Sequence, residues 1–144
     1  MCLDADIVIG AVLVVGARAP RLVSDKLVAQ MRPGSVLVDI AVDQGGCFES
    51  THPTTHSNPV YEVHGSIFYC VSNMPGAVPH TSTHALANAT LPYTMAIADQ
   101  GWQRAARANQ ALGEGVNVAA GRLVYKPIAD AHGLEYTPLE SLVD

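Results

Sequence analysis

From Met31 to Glu49 the chain reads Met-Arg-Pro-Gly-Ser-Val-Leu-Val-Asp-Ile-Ala-Val-Asp-Gln-Gly-Gly-Cys-Phe-Glu. Pro33 and Gly34 punctuate its start, and residues 35–41 are then almost continuously apolar. A short β-branched run of this kind suits a strand covered on both faces, as in a parallel sheet flanked by helices. Asp43, Gly45 and Gly46 follow at once and open a loop rich in Gly, Pro, Thr, Asn and His that runs to about Pro59. Open α/β sheets bind ligands just beyond the carboxyl ends of their strands, where this loop begins.

The flanking sequence repeats the pattern. Residues 6–15, Asp-Ile-Val-Ile-Gly-Ala-Val-Leu-Val-Val, predict a strand buried on both faces, broken by Gly16 to Pro20. Residues 24–31 predict a short helix with Ser24 as N-cap. Residues 66–72, Ser-Ile-Phe-Tyr-Cys-Val-Ser, predict a further strand. Strand, helix, strand, loop, strand is the grammar of a doubly wound α/β sheet. From Thr81 to about Asn109 the pattern turns helical, with Ala85, Leu86, Ala89, Met95, Ala96 and Trp102 as apolar contacts. Thr81 or Ser82 is the expected N-cap, and Pro92 predicts a kink or a division into two helices. Asn109 to Val118 reads as a connection turning at Gly113 and Gly115, and Arg122 to Gly133 as a helix with Pro127 near its start. Pro138 to Asp144 reads as a short helix or loose end. No internal repeat or low-complexity segment is present.

Composition narrows the function classes. The 144 residues are 49% hydrophobic with a net charge of -5, which argues against electrostatic binding to nucleic acid or anionic membrane. No apolar run reaches the roughly 20 residues of a spanning helix. Residues 1–17 are apolar but lack a basic leader and a clear cleavage site, so no signal peptide is expected. Cys2, Cys47 and Cys70 are odd in number and unrelated in spacing, which suits a reducing cytoplasm and gives neither a disulfide framework nor a zinc site.

Two loops carry the candidate chemistry. A carboxylate at Asp43 can polarise a water or amine, take up a proton or face a cationic ring, and Gly45-Gly46 lets the backbone approach a ligand. The same residues also suit a plain chain reversal. After the 66–72 strand, Asn73 can hydrogen-bond an amide and Met74 can pack on a flat ring, although Asn-Met-Pro-Gly equally makes a rigid turn ahead of a helix. His52 and His56 are four apart, as are His80 and His84. The first pair lies in a Pro/Thr loop, the second straddles a helix start, and neither has an evident third ligand, so no metal is predicted. Lys26, Arg104 and Arg107 read as solvated helix residues. No G-x-G-x-x-G turn occurs between a strand and a helix, so the part of a dinucleotide-binding sheet that grips the pyrophosphate is expected outside these residues.

Taken together, Gly-Ala-Arg-Ala-Pro at 16–20, the 31–49 stretch and Asn-Met-Pro-Gly-Ala-Val-Pro at 73–79 resemble the alanine dehydrogenase family, in order and in spacing, from about Ala5 to about Arg107. The resemblance implies the second half of a Rossmann-like doubly wound parallel sheet followed by carboxy-terminal helices. Residues 1–80 would be a partial NAD-binding domain, and 81–144 a helical segment that packs on a substrate domain. It implies reversible oxidative deamination of L-alanine by NAD. Asp43 would handle protons as ammonia or water adds and leaves. Val12, Leu13, Ile40, Ala41, Val42 and Asp43 would lie along the NAD, and Val71, Ser72, Asn73 and Met74 would close around its nicotinamide end. The family's substrate-binding arginine and lysine, catalytic histidine, glycine-rich turn and ribose-binding acid have no matching position here. A family arginine near the cofactor falls at His52, and a histidine metal ligand of some members falls at Gln100.

The NAD-binding component of proton-translocating transhydrogenase is the nearest rival, but its pattern lacks an aspartate at the position of Asp43. A third reading is a non-catalytic fragment that only oligomerises. Without the neighbour that usually bears the glycine turn, the 6–15 strand would expose an apolar edge that invites a second copy or a companion chain. On the family reading the isolated chain is expected to be inactive.

Overall fold

The computed structural model describes residues 2–16 and 18–142. The chain divides into two compact units, Met1–Ala77 and Val78–Asp144.

The first unit is a four-stranded sheet. Strand β1 (Ile7–Gly10) pairs in parallel with β2 (Val36–Asp39), and β2 in parallel with β4 (Ser66–Tyr69); β3 (Val60–Val63) closes the far edge antiparallel to β4. The order is β1-β2-β4-β3, with helix α1 (Asp25–Val28) on the crossover from β1 to β2. Ser24 caps α1 as expected, its side chain accepting from the Leu27 amide. The fold is therefore the parallel α/β arrangement that the apolar runs dictate.

Register decides which face is filled. Val8 lies opposite Leu37, and Leu37 opposite Phe68. Leu37 and Phe68 are fully buried, and Val28, Met31, Val42, Cys47, Phe48 and Cys70 are buried with them. Phe48 meets Phe68 edge-on at 5.9 Å between ring centroids, and Tyr61 stacks on Phe68 at 5.2 Å. Burying each such side chain contributes about 1.5–3 kcal/mol. The alternate positions point the other way, and Ile7 and Ile9 are 61% and 62% exposed. The expectation that β1 is buried on both faces is thus corrected: nothing within the described residues covers its second face.

Three expectations for this unit change. The 6–15 strand stops at Gly10, because its ladder partner ends at the paired Asp39, and residues 11–14 have no strand to continue on. The 35–41 and 66–72 strands shorten to four residues each. Strand β3, in the 60–65 interval that carries no sequence expectation, forms because His64 and Gly65 both take positive φ, 52° and 79°, the twist a two-residue hairpin needs.

The second unit is mainly helical. Helix α2 (Pro79–Gln100) starts two residues earlier than expected, with Pro79 in its first turn and no side-chain cap from Val78. Thr81 and Ser82 therefore lie inside the helix rather than at its cap. Pro92 is accommodated within α2, and the division into two helices falls at Gly101 (φ 80°, ψ 156°), before α3 (Trp102–Ala108). No residue of α2 is buried, and Leu86, Met95 and Trp102 stay at least 38% exposed, so the expected apolar positions form no buried face. The expected 109–118 connection contains α4 (Gln110–Glu114), because the Asn109 side chain caps the Leu112 amide. Arg122 and Leu123 belong to a small β5–β6 hairpin (Val118–Ala119, Arg122–Leu123), which delays the last helix, α5, to Lys126–His132, closed by Gly133. The tail makes one 3₁₀ turn over Leu139–Ser141; Val143 and Asp144 lie outside the described residues. No helix among the described residues is long and apolar enough to cross a membrane.

Candidate functional site

Adjacent parallel strands bring their carboxyl ends to one edge of the sheet, so the loops after β2 and β4 emerge as neighbours. The first carries Asp43, the second Asn73 and Met74.

After β2 the chain turns through one 3₁₀ turn, Val42–Gln44, closed by Gly45 at φ 100°. Asp43 stands exposed on this turn and has no hydrogen-bond partner among the described residues. The turn is held by backbone bonds from Gln44 and Gly46 to the Ala41 carbonyl (2.9 and 3.0 Å) and from Ala19 to the Gln44 carbonyl (2.8 Å). Ala41 and Val42 are buried core residues that back the turn, whereas Ile40 is 55% exposed at its entrance. Val12 is partly buried against the core and Leu13 is 64% exposed, both in the segment after β1.

After β4, Val71 is buried, Ser72 and Met74 are half-buried and Asn73 is exposed. The 48–59 loop runs alongside, the Thr54 amide donating to the Cys70 carbonyl at 2.9 Å and the Ser72 amide to the Thr54 carbonyl at 3.3 Å. Asn73 takes a left-handed conformation, φ 56°, and its carbonyl lies 3.0 Å from His56 Nε2. Of the two histidines weighed as a metal pair, His56 thus serves this turn and His52 stacks on Tyr61 at 3.7 Å. The rings of His80 and His84 meet edge-on at 4.7 Å. Among the described residues no three His, Cys, Asp or Glu side chains converge as metal ligands.

Sequence reading missed two side chains that shape this edge. Asp39 is fully buried and accepts from the Ala41 and Cys47 amides; in sequence it passes for one polar residue in an apolar strand. His56 reads in sequence as an exposed loop histidine rather than a ligand, with nothing to tie it to the Asn73 turn. Tyr61 also went unremarked: its hydroxyl donates to the Ser50 carbonyl at 3.1 Å and lies 3.4 Å from Cys70 Sγ. Burial, and then the Cys70 contact, push its phenol well above the ordinary tyrosine range. Within the second unit a cleft of about 610 Å³ is lined by Arg107, Gln110, Glu114, Tyr125, Lys126 and Tyr136, among others. Apart from Arg107, read as a solvated helix residue, none of these was singled out in the sequence.

The surface at the sheet edge can do three things. Exposed Leu13 and Ile40 offer apolar area to a flat ring, Asn73 offers an amide, and Asp43 offers an unpaired carboxylate. Together they can receive a flat ring that carries an amide or a positive charge.

The family described as "Alanine dehydrogenase/PNT, C-terminal domain" matches residues 1–126. An alanine dehydrogenase of Halomonas elongata is 54% identical over 140 residues, 97% of this chain and 38% of that protein. One of Mycobacterium tuberculosis is 55% identical over 139 residues, covering 96% and 38%. A solved L-alanine dehydrogenase superposes with a TM-score of 0.75 at 55% identity, covering 92% of this chain and 36% of that one. The chain therefore spans 38% of the length of these curated relatives. With a family match over residues 1–126 and identity above one half along nearly all its length, the chain belongs to the alanine dehydrogenase/PNT carboxy-terminal-domain family.

Proposed function

We propose that these residues form the cofactor-side part of an NAD-dependent L-alanine dehydrogenase, which converts L-alanine, NAD and water to pyruvate, ammonium and NADH. The observation that carries the reading is Asp43, exposed and unpartnered on the turn after β2, beside the Asn73 loop after β4. NAD, when bound, supplies the hydride acceptor. Val12, Leu13, Ile40, Ala41 and Val42 line its path, the exposed members by side chain and the buried ones as backing. Val71, Ser72, Asn73 and Met74 close around the nicotinamide end, with the Asn73 amide fixing ring orientation. Asp43 takes up and returns the proton as water adds and ammonia leaves, a role that asks for a carboxylate with no competing partner. On this reading residues 1–80 are the cofactor part and 81–144 the segment that packs on a substrate domain. The free thiols of Cys47 and Cys70 support a cytoplasmic site of action.

The rival transhydrogenase reading is disfavoured by Asp43 and by relatives more than half identical over nearly the whole chain. Association is favoured by a specific observation. The unpaired edge of β1, with exposed Ile7, Ile9, Leu13, Val14 and Val15, suits a second copy or a companion chain that carries the amino-terminal part.

The test is alanine-dependent NADH formation by the purified chain, alone and mixed with the separately expressed amino-terminal part of the Halomonas elongata relative. Activity is expected only in the mixture, because one carboxylate cannot also bind the substrate's own carboxylate. In the mixture Asp43→Asn should lower kcat by about 10²–10⁴-fold. Unchanged activity in that variant would overturn the role given to Asp43.

A further inference from the structure

We propose that Asp39 is a positioning residue that holds the 41–47 loop, and through it Asp43, in working geometry; the role rests on the reading of Asp43 given above. Asp39 ends β2 on the core side of the sheet, two residues after the buried Leu37, and is 0% exposed. Among the described residues no Lys, Arg or His side chain reaches it. A buried carboxylate without a counter-charge persists only if its oxygens are well occupied by donors. Both are: Oδ1 accepts the Ala41 amide at 3.1 Å and Oδ2 the Cys47 amide at 2.8 Å.

These two bonds straddle the turn that bears Asp43. Ala41 is the residue before the turn, and Cys47 is the first residue beyond Gly45-Gly46. One carboxylate therefore ties both feet of a short arch to the end of a central strand, and Asp43 stands within the arch. The loop presses close: a Cβ on Gly46 would lie 2.6 Å from Asp39 Oδ2. An arch pinned at both feet loses little freedom when a ligand binds, so the Asp43 carboxylate is pre-organised. Only a group with two acceptors serves both amides. Asparagine has nearly the same shape but one acceptor, and its NH₂ would face a backbone N–H.

The test uses Asp39→Asn in the 144-residue chain. Amide hydrogen exchange of the chain alone is followed at Ala41, Gly46 and Cys47, with Leu37 and Phe68 as strand controls. The proposal expects loop amides to exchange at least ten times faster while the strand amides stay within about threefold. In the mixture with the amino-terminal part, kcat is expected to fall at least tenfold. The double variant Asp39→Asn/Asp43→Asn should be no slower than Asp43→Asn alone, because both act through one carboxylate. Unchanged loop exchange, strand amides accelerated as much as loop amides, or effects that multiply in the double variant would each overturn the proposal. A fast loop with full activity in Asp39→Asn, while Asp43→Asn is impaired, would overturn it and leave the Asp43 reading standing. Full activity in Asp43→Asn would remove that reading instead, and the exchange data alone would then decide whether Asp39 holds the loop.

Discussion

The Nε2 atom of His56 lies 3.0 Å from the backbone carbonyl of Asn73, joining the loop after β2 to the turn after β4. Asn73 adopts a left-handed φ of 56°, which asparagine tolerates better than most residues, and the His56 bond fixes the turn it makes. His56→Ala should therefore loosen residues 73–76 without unfolding the sheet. The expected stability loss is about 0.5–1.5 kcal/mol, that of one exposed hydrogen bond. The KM for NAD in the mixed enzyme should rise several-fold with kcat less affected. Urea unfolding and steady-state kinetics check both numbers; an unchanged KM would detach His56 from the cofactor side.

Two glycines separate strain from collision. Gly34 and Gly46 both have positive φ, 84° and 79°. A Cβ on Gly34 would meet nothing within 4 Å, whereas one on Gly46 would lie 1.9 Å from Thr51 Cγ2. Gly34→Ala should cost about 1–2 kcal/mol for backbone strain alone. Gly46→Ala should cost about 1–3 kcal/mol more, the penalty of overpacking. Chemical denaturation of the two variants side by side gives the difference directly.

Acid should act through Asp25. Its carboxylate meets His64 Nε2 at 2.9 Å and the Ser50 hydroxyl, tying the start of α1 to the β3–β4 turn. The His64 bond first, and then Ser50, hold its pKa below the ordinary aspartate value. A group depressed in the folded state contributes stability above its unfolded pKa, near 4. That contribution is lost as pH falls through the lower folded value. Asp25→Asn should lower the melting temperature slightly near neutrality, where the exposed pair is partly screened, and match the wild type in strong acid, so that the fall below about pH 4 is flatter. A wild-type acid limb in the variant would refute the assignment.

Alkali should find Tyr61 late. Burial, and then the Cys70 contact, raise its phenol well above the ordinary tyrosine value, so it stays protonated into strong alkali. Here the sign reverses: a raised folded pKa contributes stability below the unfolded value that is lost as pH rises through the folded one. Ultraviolet titration should show one of the five tyrosines ionising only with unfolding, and Tyr61→Phe should abolish that lagging step.

The sequence made the sheet legible where side-chain chemistry and backbone pairing agree. The runs around Val36 and Ser66 became β2 and β4, and Ser24 capped α1, because apolar runs and cap hydroxyls act locally. Strand β3 escaped because its turn uses His64-Gly65 in place of the Asn-Gly or Asp-Gly pair that marks a two-residue hairpin in sequence. The limit of β1 escaped because pairing, not composition, ends a strand: Val12 to Val15 are as apolar as Ile7 to Ile9 but lie past the last ladder partner. Asp43 and Asn73 were visible as polar residues after strands. The anchors behind the two loops, Asp39 and His56, were not, since only the folded loops bring Cys47 and Asn73 to them.

The pairing map also sets an order of events during folding. Strands β3 and β4 join Val63 to Ser66 and Val60 to Tyr69, whereas β1 meets β2 by bringing Ile7 to Val36, and β2 meets β4 by bringing Val36 to Ile67. The entropic cost of closing a loop grows with its length, so the hairpin assembles on the microsecond scale and becomes the template for β2. Among the described residues β1 pairs with β2 alone, so it joins the hairpin only through β2. Substitutions in the His64-Gly65 turn should then slow refolding, while those in β1 should mainly speed unfolding.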